Sequence, residues 1–378
     1  MPVEISKEIS KYKFLAVITN FLLQSFFSLI RIFCRSIAYK NGNLVVVSLG
    51  RLGDAVFTIP AIKEIQRFYK RKLVIFCYSE SVPIYNLKLA NVDFCTTKRE
   101  HFFFNKRIAS NKARKKLKSL RPEIIFDLSG VMTSASLIYN SRAEKIIGMN
   151  RVQFKTIYDY YVPIRNIPHL MDTYLDVAAS VIPGINREQI KAFPLNVNKE
   201  GKILIHPFGG WKAKEWNLNK FIELAARLNE EYDACLIAPE ESIPQDLVAF
   251  LAKEKISVIQ TQSIQELIEN IKECAVFIGN DSGPLYIASL LGKPTFTIYG
   301  PTNPQFSLPL GEQHGYICKV IRCSPPQNEQ YCFTVGGRAG CPAFQCMNTL
   351  KFKEVFPNVL QFVQKYCNHR DRLKTLKS

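Results

Sequence analysis

From residue 44 onward, short apolar runs alternate with longer amphipathic stretches. Leu44–Ser48, Leu73–Cys77, Ile124–Asp127 and Lys145–Gly148 are continuous apolar runs of strand length, while "AIKEIQRFYKRK" and "MDTYLDVAASVI" carry the helical period. The alternation pauses over the polar, proline-containing stretch 183–202, "PGINREQIKAFPLNVNKEGK", which predicts a linker. It then resumes with Ile203–His206, Ala234–Ile237, Ser257–Gln260, Val276–Gly279 and Thr295–Tyr299 as strands. "NKFIELAARLNEEY" and "SIQELIENIKEC" are the helices between them. Strands buried on both faces and separated by helices predict parallel sheets covered on both sides, hence an α/β fold in two successive domains. Such sheets bind ligands at the carboxyl ends of their strands.

The first forty residues follow another rule. "FLAVITNFLLQSFFSLIRIF", residues 14–33, is apolar except for a narrow helical stripe of Asn20, Gln24, Ser28 and Arg31, extended by Arg35. A span needs ~20 apolar residues, and this run barely reaches that length with polar interruptions. Lys7, Lys11 and Lys13 flank one end; Arg31, Arg35 and Lys40 flank the other. The pattern predicts an amphipathic helix in the membrane interface. A helix packed on the protein's own surface and a single span are the alternatives.

Charge adds a partner class. The 378 residues hold 50 Lys and Arg against 32 Asp and Glu, a net charge of +18. That excess calls for an anionic partner: a phosphorylated substrate, a phospholipid surface or nucleic acid. Residues 98–121 alone hold ten Lys or Arg and one Glu, opening on Phe102, Phe103 and Phe104. Aromatic residues beside a basic run favour an anionic membrane over a merely solvated helix face. No nucleic-acid signature accompanies the run. Eleven cysteines, an odd number, include Cys77, Cys235 and Cys274 within apolar runs, and no cleavable signal pattern precedes the first domain. Reduced thiols in a cytoplasmic protein follow. Cys323, Cys332, Cys341 and Cys346 are separated by eight, eight and four intervening residues without a C-x-x-C knuckle, so buried or occasionally paired thiols suit them better than zinc.

Three strand-end motifs carry the candidate chemistry. "VVVSLGRLGDAVFTIPAI", residues 45–62, turns through Gly50 and Gly53, with Arg51 between them and Asp54 following. It is neither a G-x-G-x-x-G nor a Walker loop, and an acid there repels phosphate. Asp54 is either a helix N-cap or a general base. "HPFGGWKAKEWN", residues 206–217, offers Gly209 and Gly210 for close backbone approach and Lys212 and Lys214 for phosphate charge. In "FIGNDSGPLYIASLLGKPTFTIYGPTNP", residues 277–304, a strand ends at Gly279 and Asn280–Ser282 turn. Gly283 and Pro284 then open a helix whose N-terminus suits a diphosphate. The next strand ends in a second turn with Thr302. His169 and His206 read best as satisfied structural histidines.

Four blocks in order, "RLGDAVFTIPAI", "GGWKAKEW", "NDSGPLYIASLLGKPTFTIYGPTNP" and "CMNTLKFKEV", resemble the heptosyltransferases of glycosyltransferase family 9, from about residue 44 to about residue 360. The resemblance implies a GT-B fold: two Rossmann-like domains facing each other across a cleft, here with an added N-terminal amphipathic helix. Residue pattern and resemblance together divide the chain into 1–43 (membrane-associated helix), 44–185 (acceptor side), 186–201 (linker), 202–350 (donor side) and 351–378 (C-terminal helix and tail). The resemblance implies inverting, metal-independent, cofactor-free transfer of a heptose-like sugar. The donor would be a nucleoside-diphosphate sugar, ADP-linked in the family. The acceptor would be a lipopolysaccharide core or other lipid-linked glycan at the inner face of the cytoplasmic membrane. Asp54 matches the base and Lys214 the cation that balances the leaving diphosphate. Gly209, Gly210, Glu240, Asp281, Ser282, Gly283, Pro284, Tyr286 and Thr302 fall in the donor blocks, with Glu240 at a ribose position. Arg51 and Asp127 fall near the acceptor.

The sequence departs from that pattern where Tyr286 replaces a histidine and Asn303 an aspartate. Tyrosine donates a hydrogen bond but carries no positive charge at neutral pH. These departures bear on the identity of the donor sugar. They also leave open a degenerate GT-B protein that binds nucleotide or glycan without turnover. A nucleic-acid binder has only charge in its favour.

Overall fold

The computed structural model describes residues 2–165, 168–191, 193–332, 341 and 343–369, with side chains from Val17 onward. The expected C-terminal tail beyond 369 and the side chains of Lys7, Lys11 and Lys13 lie outside the described residues. The chain forms two compact units. The first holds 1–51, 57–165 and 171–186; the second holds 52–56, 166–170 and 187–378.

The first unit is built on a six-stranded parallel sheet. Its strands are β1 (Asn43–Ser48), β2 (Leu73–Tyr78), β3 (Val92–Thr97), β6 (Pro122–Asp127), β7 (Lys145–Asn150) and β8 (Tyr160–Pro163), in the order β3-β2-β1-β6-β7-β8. Leu44 aligns with Leu73 on one side and Ile124 on the other. The central strands are sealed on both faces, which is why they read as unbroken apolar runs. A separate hairpin, β4 (Phe102–Phe103) and β5 (Ile108–Ala109), precedes the basic helix Asn111–Ser119. Of the phenylalanine triplet, Phe102 is buried edge-on against Tyr78, while Phe103 and Phe104 are exposed. The basic helix starts at Ser110, whose Oγ accepts from the Ala113 N–H, and turns Ala113 and Leu117 inward.

The second unit repeats the plan with β9 (Ile203–His206), β10 (Ala234–Pro239), β11 (Ser257–Thr261), β12 (Val276–Asn280), β13 (Thr295–Tyr299) and β14 (His314–Cys318), all parallel in the order β11-β10-β9-β12-β13-β14. In each sheet the strand order reverses beside the first strand, between β1 and β6 and between β9 and β12. Loops leaving those strands diverge there, which opens a crevice. The C-terminal helix Phe352–Tyr366 packs Val355, Val359 and Val363 into the second core, alongside the fully buried Trp216.

Two helices at the start of the chain bear on function. α1 spans Pro2–Ser36, and α2 spans Leu52–Tyr69. Because α2 already begins at Leu52, Asp54 is the third residue of its first turn and not an N-cap. An acid in that turn still meets the positive end of the helix dipole.

Candidate active site

The second crevice is built around one carboxylate. Asp281 follows β12 and is buried. Its Oδ2 accepts from Lys214 Nζ at 2.5 Å and from Thr302 Oγ1 at 2.6 Å. Its Oδ1 accepts from the Tyr286 hydroxyl. Three loops, after β9, β12 and β13, therefore converge on a single side chain. Burial raises the Asp281 pKa, but the Lys214 charge and the three hydrogen bonds outweigh it and hold the carboxyl below its ordinary value. Lys214 is thus already paired; one of its three N–H groups is engaged by Asp281, and it also lies 4.9 Å from the centre of the Trp211 ring.

The loop after β9 is held from below by Asn280. This residue closes β12 instead of opening the turn, and it is wholly buried. Its amide donates to Pro207 O at 2.7 Å and accepts from Trp216 N–H at 3.0 Å, so both ends of the 207–216 loop are tied to it. A polar residue at the end of an apolar strand signals such a role in sequence, but not the identity of its partners. Gly209 donates its N–H to Glu215 Oε1, and a Cβ there would sit 3.2 Å from Glu215 Cγ. Lys212, by contrast, is exposed and paired with Glu215. Gly210 lies in the same loop, next to Trp211.

Ser282 precedes the helix Gly283–Leu290, in which Pro284 stands in the first turn. Ser282 is 6% exposed, and its Oγ has no hydrogen-bond partner among the described residues. A buried hydroxyl without a partner, beside a helix N-terminus and next to Asp281, is suited to receive an anionic oxygen. Tyr286, one turn further on, is buried and directs its hydroxyl back to Asp281. The turn Leu52–Val56 belongs to this unit, and the Tyr286 ring covers Gly53, where a Cβ would come within 2.9 Å of Cδ2.

Asn303 explains its own departure from aspartate. Its Oδ1 caps the helix Pro304–Ser307 by accepting from Gln305 N–H. Its Nδ2 points at the carbonyls of Pro326, Gln327 and Glu329, 3.1–3.3 Å away. A carboxylate could cap but could not donate. The loop so held returns through Tyr331, which forms a β-bridge with Thr302 and meets Trp211 ring to ring at a tilt, 5.3 Å between centres. Cys323, Cys332, Cys341 and Cys346 line one cavity behind this loop. All eleven cysteines are unbonded, and no group of three or more His, Cys, Asp or Glu side chains among the described residues is placed to hold a metal ion.

The remaining candidates are more dispersed. Glu240 is exposed at the end of β10, with its N–H on Thr261 O. Arg51 is exposed ahead of α2. Asp127, at the end of β6, is fully buried; burial pushes its carboxyl up to about 6 against hydrogen bonds from Ser129, Ser134 and Tyr158. It receives the Tyr158 hydroxyl at 2.7 Å and Ser129 N–H at 2.9 Å. Ser129 Oγ in turn accepts from Leu49 N–H, one residue before the glycine turn. Asp127 therefore supports that turn from beneath. His169 Nε2 meets Leu308 O at 3.0 Å, in keeping with a structural histidine. His206 departs from that expectation: it is buried and stacked on Phe277, burial lowers its pKa to about 4, and its Nδ1 has no partner among the described residues.

Comparison with known proteins gives a consistent set of relatives. The profile of "Glycosyltransferase family 9 (heptosyltransferase)" matches residues 111–334. Lipooligosaccharide heptosyltransferase 2 of Campylobacter jejuni is 25% identical over 177 residues, which is 44% of this chain and 53% of that protein. Lipopolysaccharide heptosyltransferase 1 of Pseudomonas aeruginosa is 20% identical over 306 residues, covering 75% of this chain and 85% of that one. The chain spans about half the length of the first curated relatives it matches. Among solved structures, E. coli ADP-heptose LPS heptosyltransferase II superposes with a TM-score of 0.64 at 15% identity, over 85% of this chain and 99% of that chain.

Proposed function

The chain belongs to glycosyltransferase family 9, the heptosyltransferase family, and from that premise we propose that it transfers a heptose-like sugar from an ADP-linked donor to a lipopolysaccharide-type, lipid-linked acceptor at the cytoplasmic face of the membrane. The observation that carries this reading is the three-loop cluster on Asp281, with the unpartnered Ser282 Oγ beside it at a helix N-terminus.

In this account the diphosphate lies against Ser282 and the N-terminus of Gly283–Leu290. Lys214 turns its remaining N–H groups toward it as negative charge develops on the leaving group. Asp281 is a positioning residue: buried, ionised and triply bonded, it fixes the ammonium and the Thr302 turn. Tyr286 holds Asp281 and does not itself carry charge to the donor. The Gly209–Gly210 backbone admits the nucleotide, and Glu240 offers a carboxylate to its ribose. Asp54, in the first turn of α2, takes the proton from the acceptor hydroxyl as the oxygen attacks the anomeric carbon and the ADP–sugar bond breaks. A single displacement of this kind inverts the anomeric centre. Arg51 and the turn supported by Asp127 border the acceptor.

Calorimetric titration with ADP tests the donor half of the proposal. Lys214→Ala should weaken ADP binding by about tenfold or more, the loss of one charge-assisted hydrogen bond. The exposed Lys212→Ala should leave it within about twofold. Equal affinities in wild type and Lys214→Ala would remove Lys214 from the site.

A further inference from the structure

α1 is turned the opposite way from a helix on a soluble protein. Its polar stripe faces the first unit and its apolar face points out. Arg31 is buried, donates to Ala143 O at 2.7 Å and Glu144 O at 2.8 Å, and pairs with Asp159. Gln24 donates to Val152 O at 3.2 Å, and its own carbonyl accepts from Thr156 Oγ1 at 2.8 Å. Between them, Phe27 packs edge-on against Tyr139 and tilted against Phe154. On the other side Phe21, Leu22, Phe26, Leu29, Ile32 and Phe33 are each 52–70% exposed. An amphipathic helix in water buries that face. A continuous apolar half-cylinder directed outward requires a non-aqueous cover.

Charge identifies the cover. Lys40 follows the apolar face along the chain, and Arg35, although it reaches Asp159 at 3.4 Å, is still 59% exposed. Arg142 is joined to the helix end by the Tyr39 N–H on its carbonyl, and Arg151 and Lys155 flank the residues that hold Gln24. Two copies of this chain meeting on the face would press like charges together, whereas anionic headgroups neutralise them. The segment Val17–Ser36 is long and apolar enough to cross a membrane, but its attachments run from Gln24 to Arg35, about 16 Å of helix axis. A span would draw Arg151 and Lys155 into hydrocarbon along with it. We infer that α1 lies in the plane of an anionic bilayer, with Phe21, Leu22, Phe26, Leu29, Ile32 and Phe33 in the acyl boundary and the first unit held beneath it. This inference does not depend on the sugar-transfer reading, and its test contains no activity measurement.

The structure also selects the test. Deleting residues 1–40 would uncover Tyr139, Phe154 and Asp159, so substitutions on the outward face are cleaner. The full chain should remain on phosphatidylglycerol/phosphatidylethanolamine vesicles at about 1 M salt, where the Debye length is about 3 Å. Leu22→Gln/Leu29→Gln/Phe33→Gln should bind about 10²- to 10³-fold less at that salt, since each loses a buried apolar side chain, with unchanged circular dichroism. Undiminished high-salt binding by the triple variant would overturn the inference. So would a lipid-free dimer, seen by sedimentation and abolished by the same substitutions, in a protein that does not bind vesicles; that result would assign the face to a second copy. For orientation, Leu22→Trp and Phe33→Trp should be quenched equally by lipids brominated near the headgroup. Quenching of one at the bilayer centre and the other at the surface would mean a span.

Discussion

Replacing Lys214 by methionine leaves the Asp281 carboxylate inside the protein without its cation. The side chains are 15% and 4% exposed, so solvent relieves little of the resulting charge. Breaking a buried pair from one side costs about 3–5 kcal/mol, because the remaining charge is uncompensated. Methionine keeps the volume, so the loss is electrostatic more than steric. The pH dependence separates the two. In the wild type Asp281 has a depressed pKa, so its contribution to stability is present above the unfolded value of about 3.9 and is lost as pH falls through the folded value. In Lys214→Met the raising effect of burial has no opposing charge, so the variant loses stability as pH rises past about 4. The deficit should therefore be largest at neutral pH and shrink toward pH 4. Urea unfolding read by tryptophan fluorescence measures it in the correct unit, because Trp211 and Trp216, the chain's two tryptophans, both lie in the second unit. Adding Asp281→Asn to Lys214→Met should recover about 2 kcal/mol or more at pH 7. A deficit below about 1 kcal/mol at pH 7, or one that stays constant between pH 4 and 7, would refute the buried-pair argument.

Two further outcomes follow from the site. Asp54→Asn should keep ADP affinity within about twofold but lower turnover about 10²- to 10⁴-fold; rates near wild type in a coupled ADP-release assay would rule out Asp54 as the base. Asn303→Asp should keep the cap on Pro304–Ser307 but lose the three amide contacts to 326–329, so hydrogen exchange at Gln327–Tyr331 should rise about tenfold. Unchanged exchange there would mean that the loop is held by other contacts.

The central strands were legible in sequence because they are sealed on both faces, and burial of that kind leaves a continuous apolar run. The edge strands β3, β8 and β14 were not: each has partly or fully exposed positions, Val92–Thr97 and His314–Cys318 mix polar with apolar residues, and Tyr160–Pro163 is only four residues long. Periodicity revealed the stripe on α1, but not that its polar side would face the protein; Asp159, which draws Arg31 inward, is 128 residues away. The phenylalanine triplet divides for a local reason, with Phe102 inward and Phe103 and Phe104 outward. In a hairpin, neighbours alternate sides, so Phe102 enters the core while Phe103 does not. Asp281 and Lys214 were each identifiable from their motifs, whereas their pairing across 67 residues was not. Tyr286 and Asn303, departures from the family pattern, make sense only in the fold, where one restrains Asp281 and the other restrains a loop.

The central claim is acceptor-dependent sugar transfer from a nucleoside-diphosphate donor. The most direct measurement is nucleoside diphosphate release from a panel of nucleotide sugars, with and without a lipid A–core acceptor, in wild type and Asp54→Asn. ADP release from ADP-heptose or a close ADP-sugar, dependent on the acceptor and lost in the variant, is the expected result. Binding of ADP without acceptor-dependent release from any donor would contradict it and leave a protein that holds the nucleotide without turning it over.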